Sequence, residues 1–67
     1  MEARMTVGER LKFLRGKKTK KQVADALGVS YSTYVKYERN ERKVNDDMKM
    51  RIAKLYGRTV QSIFFKP

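Results

Sequence analysis

The fold class this sequence predicts is all-α, in one small domain, and three observations predict it. The only proline among the 67 residues is the last one, so no interior position forbids a helix. Helix-opening signatures recur: Thr6-Val7-Gly8-Glu9 and Thr19-Lys20-Lys21-Gln22 both have the S/T-x-x-E/Q form of a capping box. Strand signals are absent, because β-branched residues are scattered and no run alternates with period two for more than a few positions. The length allows one modest core, since a chain of about 60 residues buries only roughly 60% of its unfolded surface. No repeat, low-complexity tract or linker divides it. Residues 1–67 therefore read as one domain, with 1–5 as a flexible N-terminal segment.

Five short helices follow from the turn chemistry. After the first capping box, Val7, Leu11 and Leu14 recur at i, i+4, i+7, giving a helix that ends near Arg15-Gly16. The second box opens a helix from Lys20 to Leu27, with Val23, Ala24 and Leu27 on one face. Gly28 then stands where a left-handed C-terminal residue is wanted. Ser30 caps a third helix, Tyr31 to about Arg39, with Tyr34 and Tyr37 three apart. Asn45 or Asp46 caps a fourth, running through Ile52, Ala53 and Tyr56 to Gly57. Thr59 opens a last short helix whose apolar members are Val60, Ile63 and Phe64. Gly28-Val29-Ser30 leaves only a three-residue turn between helices two and three, so those two meet at a steep angle.

Composition narrows the function before any motif is named. Lys plus Arg number 17 against 7 Asp plus Glu, a formal charge of +10, and there is neither Cys nor His. Without Cys there is no disulfide framework or thiolate metal site. Without His as well, the commonest general base and metal ligand are both missing, so no enzyme, cofactor or metal is expected. Asp46-Asp47, adjacent at a helix start, read as caps. The longest apolar run, Ile63-Phe64-Phe65, is far short of the ~20 residues of a membrane span. No stretch of signal-peptide length is present. A cytoplasmic binding module for a polyanion is the expectation, with nucleic acid first. Four Tyr, three Phe and 40% apolar residues argue against a merely solvated basic tail.

Lys20 to Arg39 has the inside/outside pattern of two helices crossing closely. Counted from Lys20, the fourth, fifth, eighth and tenth positions are Val23, Ala24, Leu27 and Val29. The fifteenth and eighteenth are Tyr34 and Tyr37. Ala24 is small where the partner helix crosses. The stretch Gln22 to Ser30, then Ser32-Thr33 and Lys36-Tyr37-Glu38, resembles the Cro/repressor-type (XRE-like) helix-turn-helix family of phage and bacterial regulators. Ile52-Ala53-Lys54, Gly57, Val60 and Ile63-Phe64 resemble that family's last two helices, so the likeness covers about residues 6 to 65. It implies a five-helix bundle of the lambda-repressor-like DNA-binding type, with the helix-turn-helix in helices two and three. The chain departs from the pattern in a shorter link after helix one and in Lys20 where glutamine is common. It also has Tyr34 where an aliphatic residue is usual and Arg39-Asn40-Glu41 where Asn-Gly-Lys is usual. Asn40 tolerates the left-handed conformation this turn needs.

At 100° per residue, Tyr34, Tyr37 and Glu38 share one side of helix three, while Tyr31, Ser32, Val35, Lys36 and Arg39 share the other. The second side is free to enter a major groove, and recognition helices read bases chiefly with N-terminal residues. The resemblance agrees and implies base contacts at Tyr31, Ser32 and Lys36; the alternatives are Tyr31 packed on the sugar-phosphate backbone and Val35 merely solvent-facing. Arg15, Lys17, Lys18, Lys20 and Lys21 place five cations in seven positions, several at a helix N-terminus where the macrodipole disfavours them. A DNA phosphate at that terminus resolves the conflict; the alternative is a solvated basic loop. Arg42 and Lys43 match family positions that hold the opposite strand's backbone, with Thr33 and Arg39 as further members of the set. The resemblance also pairs Arg15 with Glu38.

The function expected is a sequence-specific regulator of transcription, a small Cro-like repressor. It would bind double-stranded DNA as a homodimer on half-sites about 34 Å apart. Phe64 and Phe65 are candidates for the dimer contact; equally, Phe64 is core and Phe65 a lone exposed apolar residue. No small-molecule effector is evident. A controller of a restriction-modification operon or an antitoxin-type autoregulator would look the same. The alternative from another class is an adaptor or anti-repressor that keeps the fold but binds an acidic protein.

Overall fold

The computed structural model describes residues 5–65, so the segment expected to be flexible, 1–5, lies outside the described residues apart from the exposed Met5. Four α-helices are formed: α1 Val7–Arg15, α2 Lys20–Leu27, α3 Tyr31–Glu38 and α4 Asp46–Tyr56. A single π-type turn, Gln61–Phe65, follows them. No strand occurs among the described residues. Both capping boxes are complete, the Thr6 and Thr19 hydroxyls accepting from the amides of Glu9 and Gln22 while those side chains accept from the cap amides. Asn45, rather than Asp46, caps α4, its Oδ1 accepting from the Met48 amide at 2.8 Å.

α2, α3 and α4 end in the same manner, with one left-handed residue and a pair of amides turned back to the last carbonyls. At Gly28, the Val29 amide reaches the Ala24 carbonyl and the Gly28 amide that of Asp25. Gly57 repeats this after α4. After α3 the left-handed residue is Asn40, at φ 61°, so that helix stops at Glu38, one residue short of the expected Arg39. The last element differs more from expectation. Thr59 does receive the Ser62 amide, but the chain winds only one wide turn, and the Arg10 guanidinium takes up the Ile63 carbonyl at 2.6 Å. A terminal turn this short leaves its carbonyls unpaired, and a side chain from α1 supplies a donor.

α3 packs on both α1 and α2, α4 closes against α2, and the π turn rests on α1. Leu11, Val23, Ala24, Leu27, Tyr34, Tyr37, Ile52 and Ile63 form the interior, joined by Val44 and Met48, which the periodicity did not single out. Val29 packs against this cluster from the turn. The crossing of α1 over α3 is tightest at Gly8, where an added Cβ would run into the Glu38 carbonyl. Among the described residues no helix is long and apolar enough to cross a membrane, and no group of three or more His, Cys, Asp or Glu could hold a metal.

Candidate nucleic-acid interface

Tyr34 and Tyr37 face inward, 0% and 4% exposed, and anchor α3 to α1 and α2. That fixes the opposite side of the helix outward: Tyr31 (54% exposed), Ser32, Lys36 and Arg39 are exposed, and Val35 is half-buried. Ser32 and Lys36 lie two positions from Tyr34, and Arg39 two from Tyr37, about 200° around a helix of 3.6 residues per turn, so they cannot follow these anchors inward. Thr33 is half-buried, and its hydroxyl accepts from the Ser30 cap hydroxyl at 2.9 Å.

The first cluster of cations spans the α1–α2 loop and the opening turn of α2. Lys17, Lys18 and Lys21 are exposed and Lys20 half-buried, with no acidic residue in the first turn of α2. Lys21 has its own carboxylate in Asp25, at 3.5 Å on an exposed surface, a pairing worth little in water. The second cluster, Arg42 and Lys43, is exposed in the loop between α3 and α4. The second cluster adjoins α3 in the chain through the loop after it, whereas the first stands at the opposite end of α2 from the turn that leads into α3.

Arg15 and Glu38 tie these parts together. The guanidinium Nε donates to Glu38 Oε2 at 2.7 Å, and the two side chains are only 14% and 6% exposed. A second N–H of Arg15 donates to the Lys18 carbonyl at 2.8 Å, so one side chain holds both the lysine loop and the end of α3. The hydrogen bond from Arg15 to Glu38 raises the guanidinium pKa further, against the opposing effect of burial. For Glu38 burial pushes the other way, but the Arg15 hydrogen bond, Tyr34 and the charges of Arg15 and Lys20 outweigh it and hold the carboxyl below its usual range. The hydroxyls of Tyr34 and Tyr56 are buried nearby without a hydrogen-bond partner of ordinary geometry. Burial first, then the Glu38 carboxylate, holds both above the usual tyrosine range.

Three positioning roles went unread in the sequence, Asn40 having been read only for its left-handed turn. Asn40 accepts from the Gly8 amide at 2.9 Å and donates to the Thr6 hydroxyl at 3.0 Å, so the residue that ends α3 also caps α1. Gly8 permits the close crossing; its signal was a glycine inside a helix, which costs about 1 kcal/mol and calls for a packing reason. Arg51 donates to the Leu27 carbonyl at the end of α2, at 3.3 Å.

Two successive helices joined by a tight glycine turn, the second with its outer face bare between cationic loops, define a helix-turn-helix DNA-binding domain. The helix-turn-helix family model matches residues 10–63, and the chain belongs to this Cro/XRE-type family of DNA-binding transcription regulators. No curated protein matches the chain.

Proposed function

We propose that the protein is a small Cro-like repressor that occupies a two-fold-related operator as a homodimer, with α3 in the major groove and transcription blocked by occupancy. The observation that carries this reading is the sidedness of α3: Tyr31, Ser32 and Lys36 are exposed while Tyr34 and Tyr37 are buried. In the proposal Lys36 donates to guanine O6 and N7, Ser32 serves as an adaptable donor or acceptor, and Tyr31 meets a thymine methyl. Lys17, Lys18, Lys20 and Lys21 bind phosphate at the N-terminus of α2, where amides and dipole already favour an anion. Arg39, Arg42, Lys43 and Thr33 hold the backbone on the other side, and Arg15 with Glu38 keeps the two sets in register. Support for the dimer comes from the C-terminal turn, where Phe65 is 64% exposed with the Lys49 ammonium 4.9 Å from its ring centre.

Selection from a randomised duplex library, followed by footprinting and sedimentation with and without the selected site, tests this. A palindromic consensus with half-sites one helical turn apart and a dimer on DNA are expected. Equal affinity for all duplexes would refute sequence-specific regulation. Preference for an acidic protein over any duplex would favour the adaptor reading.

A further inference from the structure

Val7 at the start of α1, Arg42, Lys43 and Val44 in the loop after α3, Lys49 on α4 and Phe64 in the π turn line one pocket of about 190 Å³. The lining divides evenly between apolar side chains (Val7, Val44, Phe64) and cations (Arg42, Lys43, Lys49), and no carboxylate belongs to it. Arg42 and Lys43 are exposed, and neither side chain has a hydrogen bond or ion pair among the described residues. Lys49 is engaged, 3.8 Å from Asp46 and over the rings of Phe64 and Phe65, at 5.7 and 4.9 Å from their centres.

The pocket stands beside the end of α3 and not on its reading face. Val7 precedes Gly8, where an added Cβ would meet the Glu38 carbonyl, and the loop that carries Arg42 and Lys43 follows Glu38 in the chain. Tyr31 and Ser32 open α3, about 10 Å along its axis from Glu38. Phe65, on which the proposed dimer rests, does not line the pocket.

Two properties of the lining select an occupant. An apolar cavity of about 150 Å³ holds a benzene ring, so a pocket of this size takes one aromatic or branched aliphatic side chain on Val7, Val44 and Phe64. Three cations around that floor, Arg42 and Lys43 without partners, call for an anionic rim. A backbone phosphate would meet the cations and leave the apolar floor unused. A second copy set here by a two-fold axis would bring the three cations against their own counterparts. An acidic protein segment with one apolar anchor satisfies both halves of the lining.

We propose that this pocket docks an acidic segment of a partner protein, which seats one aromatic or branched aliphatic anchor on Val7, Val44 and Phe64 and sets its carboxylates on Arg42 and Lys43. Given the reading that Arg42 and Lys43 hold the operator backbone, on which this part rests, the docked segment and DNA exclude one another and the partner frees the operator. The test uses the full chain and a fluorescein-labelled peptide of glutamates flanking a single Phe, with a control in which Ala replaces the Phe. By anisotropy the Phe peptide binds, and the Ala peptide is about tenfold or more weaker, the order that burying one large apolar side chain is worth. Arg42→Glu weakens the Phe peptide about tenfold, whereas Lys54→Glu, the same change of charge at an exposed position of α4, alters it by less than about twofold. Helical circular dichroism is unchanged in both variants. Amide shifts in the ¹H–¹⁵N spectrum gather at Val7, Val44 and Phe64. At about ten times its own Kd the peptide weakens the selected duplex about tenfold, as mass action requires of exclusive binding. Equal binding of the Phe and Ala peptides would overturn the proposal and leave a bare anion site for the DNA backbone. Shifts gathered on α3 and the start of α2, equal losses in Arg42→Glu and Lys54→Glu, or no binding at millimolar peptide would also overturn it. So would a DNA-free dimer that the peptide dissociates, which would show a second copy in the pocket. Peptide and duplex bound together would refute the exclusion. Failure of the operator reading shows separately, as no preferred duplex without peptide, and the peptide titration still decides the docking.

Discussion

Replacing Gly8 with alanine sets two physical effects against each other with opposite signs. Taken as a helix position alone, the change is favourable by about 0.8–1.0 kcal/mol, the difference in helix propensity. In the folded protein, the new Cβ would stand 2.7 Å from the Glu38 carbonyl carbon and closer still to its oxygen, against about 3.5–4.0 Å for an ordinary contact. The obstacle is backbone at the end of α3, which is also held by the Arg15–Glu38 pair, so it cannot swing aside as a flexible side chain would. Overpacking of this kind costs about 1–3 kcal/mol. The same Cβ would stand 3.0 Å from Asn40 Nδ2, and a shift there loosens the bonds from Asn40 to the Gly8 amide and the Thr6 hydroxyl, at about 1 kcal/mol for a typical hydrogen bond. The net is a loss of roughly 1–3 kcal/mol, or a fall in Tm of about 4–8 °C per kcal/mol for a domain of this size.

Reversible thermal and urea unfolding followed by helical circular dichroism measures it. Ala26→Gly, at an exposed position of α2, calibrates the propensity part alone and should lose about 1 kcal/mol. A Gly8→Ala protein as stable as the parent, or more stable, would mean that the α1–α3 crossing is looser than described, and the account of how α3 is held would fail with it.

The Arg15–Glu38 pair predicts a sign in acid. Its carboxyl titrates lower in the folded than in the unfolded chain, where Glu has a pKa of about 4.3, so this contribution is fully present above that value and is lost as the pH falls through the folded pKa. Arg15→Ala, leaving Glu38 buried and unpaired, should cost about 3–5 kcal/mol at neutral pH. Arg15→Met with Glu38→Leu should recover most of it and lose that part of the acid dependence; an unchanged urea midpoint profile in acid would rule the pair out as its source. At Asn40, Gly keeps the left-handed turn but loses the side-chain bonds, at about 1 kcal/mol, whereas Ala also meets the left-handed penalty of about 1–2 kcal/mol. The stability order should be Asn, then Gly, then Ala, and Gly equal to Asn would deny the link to α1. On DNA, Lys36→Ala should cost about 1–3 kcal/mol and relax preference at one base pair, while Lys20→Ala should weaken all sites alike and lower the salt slope by about one. The reverse pattern in a salt-titrated binding series would exchange reader and positioner.

Local chemistry accounts for what could be read without coordinates. Capping boxes at Thr6 and Thr19 and the cap at Asn45 act over three or four residues, so they are written in the chain in order, and α1, α2 and α4 begin where those residues stand. The split of α3 into Tyr34 and Tyr37 inside and Tyr31, Ser32 and Lys36 outside is likewise a matter of 100° per residue. The π turn was not legible, since an isolated terminal turn has too few bonds to prefer one winding and Arg10 completes it from 53 residues away. Nor were the partners of Asn40, 32 and 34 residues distant, or the obstacle behind Gly8. Helix ends, helix faces and the +10 charge were determined by sequence alone. How closely α1 crosses α3, what the last residue of α3's turn holds, and the gathering of Val7, Arg42 and Phe64 at one pocket were decided only by the tertiary structure. The reason is that contact between distant segments depends on how helices pack, and no single helix carries that information.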